Sequence, residues 1–218
     1  MENIDLQEEI IEALAFNPRV DASNLGVIVD EGVVTLTGTV PSLIAKWDAQ
    51  ETVKNVLGVR GIVDQIVVDL PGEYVRTDRD IALAIEHRFA SNVFIPSSVQ
   101  FMVKNGDVTL TGEVEAYYEL AEAAAEARRV TGVNSVFNLL TVTSSDQPST
   151  EEVKRKIHSY FARTADVDAN GVAAEVAEDG EVTLFGSVRT YLERDKAEQA
   201  AWSLPGVTQV DNLLLINP

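Results

Sequence analysis

The two histidines, His87 and His158, are the only imidazoles in the chain, and cysteine is absent. A metal centre or a general acid–base pair needs further ligands or carboxylates at fixed offsets from such a residue, and neither histidine has them. Both are read as solvated or half-buried helix residues. Glu119, Glu122 and Glu126 recur at i, i+3, i+7, a spacing that reads as one solvated helix face better than as a carboxylate site. There is no nucleophile elbow, phosphate-binding loop, HExxH pair or EF-hand spacing. Without cysteine, thiolate catalysis, disulfides and Cys-rich zinc sites are excluded. The expectation is no catalytic residue, no metal site and no cofactor.

The remaining residues of interest are aromatic and apolar. Trp47, Ile44 and Trp202 fall off the buried stripe of the helices that carry them. Trp47 lies two positions before Ala49, which turns it about 160° from that stripe, and Ile44 is one turn earlier on the same face. Trp202 follows Ala201 by one residue. A tryptophan off the core anchors an interface, with protein or with lipid. Contact with a sister repeat or a second chain is expected ahead of lipid.

These residues belong to a repeat. GVVTLTGTV (Gly32 to Val40), GDVTLTGEV (Gly106 to Val114) and GEVTLFGSV (Gly180 to Val188) stand 74 residues apart both times. The register continues through Gly58–Val59, Gly132–Val133 and Gly206–Val207, and through Asp64, Asn138 and Asn212. Each unit opens with a helical pattern: Leu6, Ile10, Leu14; Ile81, Ile85, Phe89; Val153, Ile157, Phe161. Thr150 reads as the N-cap of the third of these helices. An alternating strand follows (Leu25, Val27, Val29; Val99, Phe101, Val103; Val172, Ala174, Val176), then a tight turn into the glycine-initiated strand.

In that second strand Val34, Leu36, Gly38 and Val40 share a face. Gly38, Gly112 and Gly186 are expected to let a crossing helix approach the backbone. Second helices are expected near 42–56, 116–130 and 190–204, with small residues on one stripe: Ala49, Val53, Val56; Ala123, Ala127, Val130; Ala197, Ala201, Leu204. Gly58, Gly132 and Gly206 would stop them. A third strand closes each unit through Ile66 and Val68, Leu140 and Val142, or Leu214 and Ile216. Asn138 and Asn212, on its inward parity, need hydrogen-bonded partners, expected in a turn backbone.

The fold expected is α+β: three tandem αββαβ modules, each a three-stranded mixed sheet with two helices packed on one face. The modules are bounded at 1–71, 72–146 and 147–218, with polar, turn-rich linkers at 71–78 and 143–150.

The chain carries 35 acids against 17 bases, a formal charge of −18 spread over all three repeats. Such a field disfavours nucleic acid and anionic surfaces. No apolar run is long enough for a transmembrane segment. The acidic start MENIDLQEEIIEALAF lacks a signal-peptide pattern. The expected compartment is the cytoplasm if Met1 is the native start, and the periplasm if a signal peptide has been removed.

The glycine-x-V-x-L-x-G-x-V strand, the alanine-bearing helix, the Gly-Val and the closing V-x-N-x-L together resemble the BON domain, named for bacterial OsmY and nodulation proteins. The third repeat fits best (GEVTLFGSV, Ala197, PGVTQVDNLLLI) and the second is close (GVNSVFNLLTV). The first departs, with Asp64 and Gln65 in GVRGIVDQIVV. The resemblance implies a module of bacterial osmotic-stress, secretin-associated and channel-associated proteins that binds phospholipid or other ligands, without catalytic residues. The function expected is therefore a non-enzymatic binding protein of the osmotic or envelope-stress type, with phospholipid or another protein as partner. The alternative is a soluble cytosolic protein-interaction or small-ligand module, including a cation-responsive one. Inter-repeat packing or self-association is a third expectation.

Overall fold

The computed structural model describes residues 3–72, 75–143, 149, 151–153, 155–156, 159, 171–177 and 180–217. The first module runs α1 (Asn3–Phe16), β1 (Leu25–Asp30), β2 (Val33–Val40), α2 (Leu43–Lys54) and β3 (Gly61–Val68). The second repeats this order as α3 (Asp78–Ser91), β4 (Gln100–Lys104), β5 (Asp107–Val114), α4 (Tyr117–Arg128) and β6 (Ser135–Val142). The third has helical residues at 151–153, then β7 (Val172–Val176), β8 (Glu181–Val188), α5 (Tyr191–Trp202), β9 (Gln209–Asn212) and β10 (Leu215–Ile216). The α+β class and the mixed three-stranded sheet are as the repeat pattern predicts.

In each module the first two strands form an antiparallel hairpin. Glu31–Gly32 and Asn105–Gly106 both have positive φ at the tip, the backbone that lets a two-residue turn follow the strand twist. The second helix then crosses over, so the third strand lies parallel to the second. The helices bury Leu6, Ile10 and Leu14, or Ile81 and Ile85, against Ala45, Ala49 and Val53, or Ala123 and Ala127, and against the inward parity of the sheet. Three separate aliphatic cores result. Among the described residues no helix covers the opposite sheet face, and Ile28, Val67, Met102, Phe137, Leu139 and Leu215 stand exposed there.

Several local expectations change. Gly38, Gly112 and Gly186 do not make room for a helix. They hold φ between 111° and 128°, and a β-carbon at each would collide with the carbonyl oxygen of Asn24, Ser98 or Gly171, in the chain entering the neighbouring strand. The close approach is strand to loop. Second, α2, α4 and α5 end at Lys54, Arg128 and Trp202, so the glycines that follow belong to the turn beyond, not to the helix end. Third, the first helix of the third module is capped by Ser149, whose hydroxyl accepts from the Glu152 N–H while Glu152 accepts in return. Thr150, Ile157, His158 and Phe161 lie outside the described residues. His87 is exposed on α3.

The glutamates of α4 are not a free solvated face. The Glu119 carboxylate accepts the backbone N–H groups of Glu115 and Ala116 at 2.8 and 3.3 Å. It thereby satisfies the helix start where Ala116 has no side-chain oxygen. Glu122 accepts from Asn92 at 3.0 Å. Burial raises the pKa of Glu126, but hydrogen bonds from Arg88 and Arg129 outweigh it and hold the carboxyl below its usual range.

The asparagine position ties the third strand to the second helix. Asn212 donates to the Arg194 carbonyl at 3.1 Å and accepts from the Leu214 N–H at 3.3 Å; Asn138 does the same with Leu120 and Leu140, both at 3.3 Å. The partner on one side is a helix carbonyl and not a turn. Asp64 cannot donate. It accepts from the Ile66 N–H at 3.0 Å, and its other oxygen takes Lys46 Nζ at 2.7 Å. Lys46 occupies the register position of Leu120 and Arg194, so the first module exchanges an amide link for an ion pair. Lys46→Leu, which strands a half-buried carboxylate, is expected to destabilise by about 1–2 kcal/mol. Adding Asp64→Asn rebuilds the pair found in the second module and should recover most of that loss. Urea midpoints of the two variants check this, and equal midpoints would sink the account.

Candidate functional site

The second helices bring the modules together. Applying the 74-residue offset aligns Leu43 with Tyr117 and Tyr191, and Lys54 with Arg128 and Trp202. Leu43 of the first module packs against the second core. Tyr117 of the second stacks on Trp202 of the third, with ring centroids 4.5 Å apart and planes 14° from parallel. Tyr191 of the third packs against the first core. Each module therefore sends the start of its second helix against the next module, and the third returns to the first. The junctions form a closed pseudo-threefold ring.

One turn further along the helix the same relation holds. Trp47 lies beneath the Arg128 guanidinium, 4.2 Å from ring centre to Cζ, a cation–π contact between first and second modules. The equivalent position in the third module, Asp195, meets Lys54 Nζ of the first at 3.2 Å. Lys54 also pairs with Glu51 at 2.8 Å. Burial lowers the Lys54 pKa, but Glu51 and Asp195 outweigh burial and hold the ammonium above its ordinary range. Burial, helped by the Glu198 charge, pushes the Tyr117 hydroxyl up. Burial likewise pulls Arg128 down, against the opposing pull of Tyr117 and Glu51.

All three sequence candidates lie at these junctions. Trp47 keeps 38% of its surface and donates its indole N–H to Glu51 at 3.1 Å. It borders a central cleft of about 550 Å³ that also touches Lys54, Tyr117, Arg128, Asp195 and Glu198. Ile44, partly buried, lines a groove of about 280 Å³ at the first junction with Leu43, Val130 and Val133. Trp202 lines the matching groove at the second junction, about 890 Å³, with Tyr117, Tyr118, Leu204, Pro205 and Val207. The off-stripe argument does not find Tyr117, Arg128, Lys54 and Asp195. Comparing the repeats at positions equivalent to 43, 47 and 54 would have flagged them as polar or aromatic variants of one contact.

The wider groove has an apolar rim. Phe94, in the turn after α3, is 57% exposed, and its ring meets Tyr118 edge-on at 6.2 Å. The arrangement suits burial of an apolar group between aromatic rings. Among the described residues no group of three or more His, Cys, Asp or Glu side chains is placed to hold a metal, and no helix is long and apolar enough to cross a membrane.

The BON domain model matches residues 5–69, 77–144 and 149–218. Osmotically-inducible protein Y of Escherichia coli (strain K12) is 33% identical over 115 residues, 48% of this chain and 55% of that protein, so the match spans about half of the relative's length. The 21 kDa hemolysin of Actinobacillus pleuropneumoniae is 30% identical over 145 residues, 61% of this chain and 72% of that protein. Among solved structures, the C-terminal domain of CdsD, the structural protein of the type III secretion system of Chlamydia trachomatis, covers 100% of both chains at 16% identity. Its TM-score of 0.28 is too slight a likeness to carry any inference. With its model matched in three successive copies along nearly the whole length, the chain belongs to the BON family.

Proposed function

We propose that this chain is a non-enzymatic binding protein of the bacterial osmotic or envelope-stress type, which associates with phospholipid or with a membrane-associated partner. The observation that carries the reading is the aromatic groove at the second junction with its exposed rim of Phe94 and Tyr118. Exposed side chains of this size, grouped beside a groove, mark an interaction site. The family and the osmotically-inducible relative support the stress context. The net charge of −18 turns the expectation toward zwitterionic lipid, because an anionic surface would repel it.

Co-sedimentation with phosphatidylcholine and phosphatidylethanolamine vesicles tests the reading. The protein should pellet with them, and Phe94→Ser should weaken binding about tenfold through the lost apolar burial. The acidity also favours a second reading, a soluble protein-interaction module. If the protein and its Phe94→Ser variant both stay in the supernatant, the lipid arm fails and that second reading stands.

A further inference from the structure

The three junctions are one contact made three times, yet they differ in two ways. The first and second are each spanned by one short linker, at 71–78 and 143–150, whereas the third module is tethered to the first only through the whole of the second. The third junction also carries an ion pair beside its Tyr191 contact. Where the others have Trp47 beneath Arg128 and Tyr117 stacked on Trp202, it has Asp195 and Lys54, with side chains 31% and 28% exposed.

A head-to-tail contact that closes a ring within one chain can equally join separate chains. Opening the third junction would leave Tyr191 and Asp195 uncovered on the third module and Lys54 uncovered on the first. These two faces are complementary by construction, because they were each other's partners, and both occur once on every copy. In the closed chain the tether favours the internal contact through its high effective concentration.

We propose that the junction of the third module with the first is a clasp held in part by this ion pair, and that its opening lets Asp195 of one copy take Lys54 of a second copy, assembling chains head to tail. The second copy is the occupant because the face it would fill is already shaped and charged for the segment it brings. This proposal is independent of the lipid-binding reading, since it uses α2 and α5 and leaves the rim of Phe94 free.

Charge reversal on the full-length chain tests it. Lys54→Glu and Asp195→Lys each place like charges across the clasp, within the chain and between identical chains. Each alone should remain monomeric in analytical ultracentrifugation and sediment more slowly than the unaltered protein. When the two are mixed in equal amounts, the acidic replacement of one faces the basic replacement of the other. The unaltered Asp195 of the first also meets the unaltered Lys54 of the second. The weight-average mass should at least double. The Lys54→Glu/Asp195→Lys double variant should return to the compact monomer, which also shows that the replacements permit folding. A mixture that sediments as the sum of its components would overturn the assembly, and single variants sedimenting like the unaltered protein would overturn the clasp.

Discussion

Gly112→Ala should strongly destabilise the second module, at a cost of about 2–6 kcal/mol. Two terms add. The residue sits at φ 128°, a region that holds L side chains only at a strain of about 1–3 kcal/mol. The new methyl would also collide with the Ser98 carbonyl oxygen, and backbone cannot swing aside as a long side chain can. Forcing such overlap costs roughly another 1–3 kcal/mol. Against a domain stability of about 5–15 kcal/mol, the sum is a large part of the whole. Gly72→Ala is the control, because nothing lies within 4 Å of a β-carbon there. Thermal unfolding of both variants decides it, and a Gly112→Ala transition as high as that of Gly72→Ala would refute the strain argument.

The second large effect belongs to Trp202→Ala. This side chain packs against the second and third cores at once and stacks on Tyr117. Truncating a large aromatic in a partly buried site is expected to cost about 2–4 kcal/mol, of which the ring pair supplies about 0.5–1.5. The diagnostic is cooperativity more than midpoint. The second and third modules, expected to unfold together through this contact, should separate into two calorimetric transitions in the variant. Tyr117→Ala should lose little further when added to Trp202→Ala, since the stack is already gone. Full additivity, with one undivided transition, would show that the stack couples nothing.

Much of the architecture was legible because it is periodic. The 74-residue register and the apolar spacings of Leu6, Ile10 and Leu14 or Ala123 and Ala127 depend on which residues touch the core, and burial follows them closely. What escaped depended on backbone angles and distant partners. Gly38 shares the parity of core valines, so periodicity placed it under a helix; its φ of 111° and the nearby Asn24 carbonyl leave no trace in hydrophobic pattern. The outward direction of Trp47 was readable from helix geometry, but its cover, Arg128, lies in another repeat. Asp64 was visible as a departure from asparagine. Its compensation by Lys46 becomes visible only when the helix position facing it is compared across repeats.

The ring also sets a timetable for synthesis. Lys54 and Asp195 are separated by 141 positions, so α2 leaves the ribosome long before the residue that completes its ion pair. At about 5–20 residues per second, the interval is on the order of 10 s. Small domains fold far faster than that, so the first module waits, folded, with one flank uncovered. During that interval the flank can accept the third module of a finished copy whose own clasp is open. The growing polypeptide, more than the finished one, is therefore the species most open to mispairing.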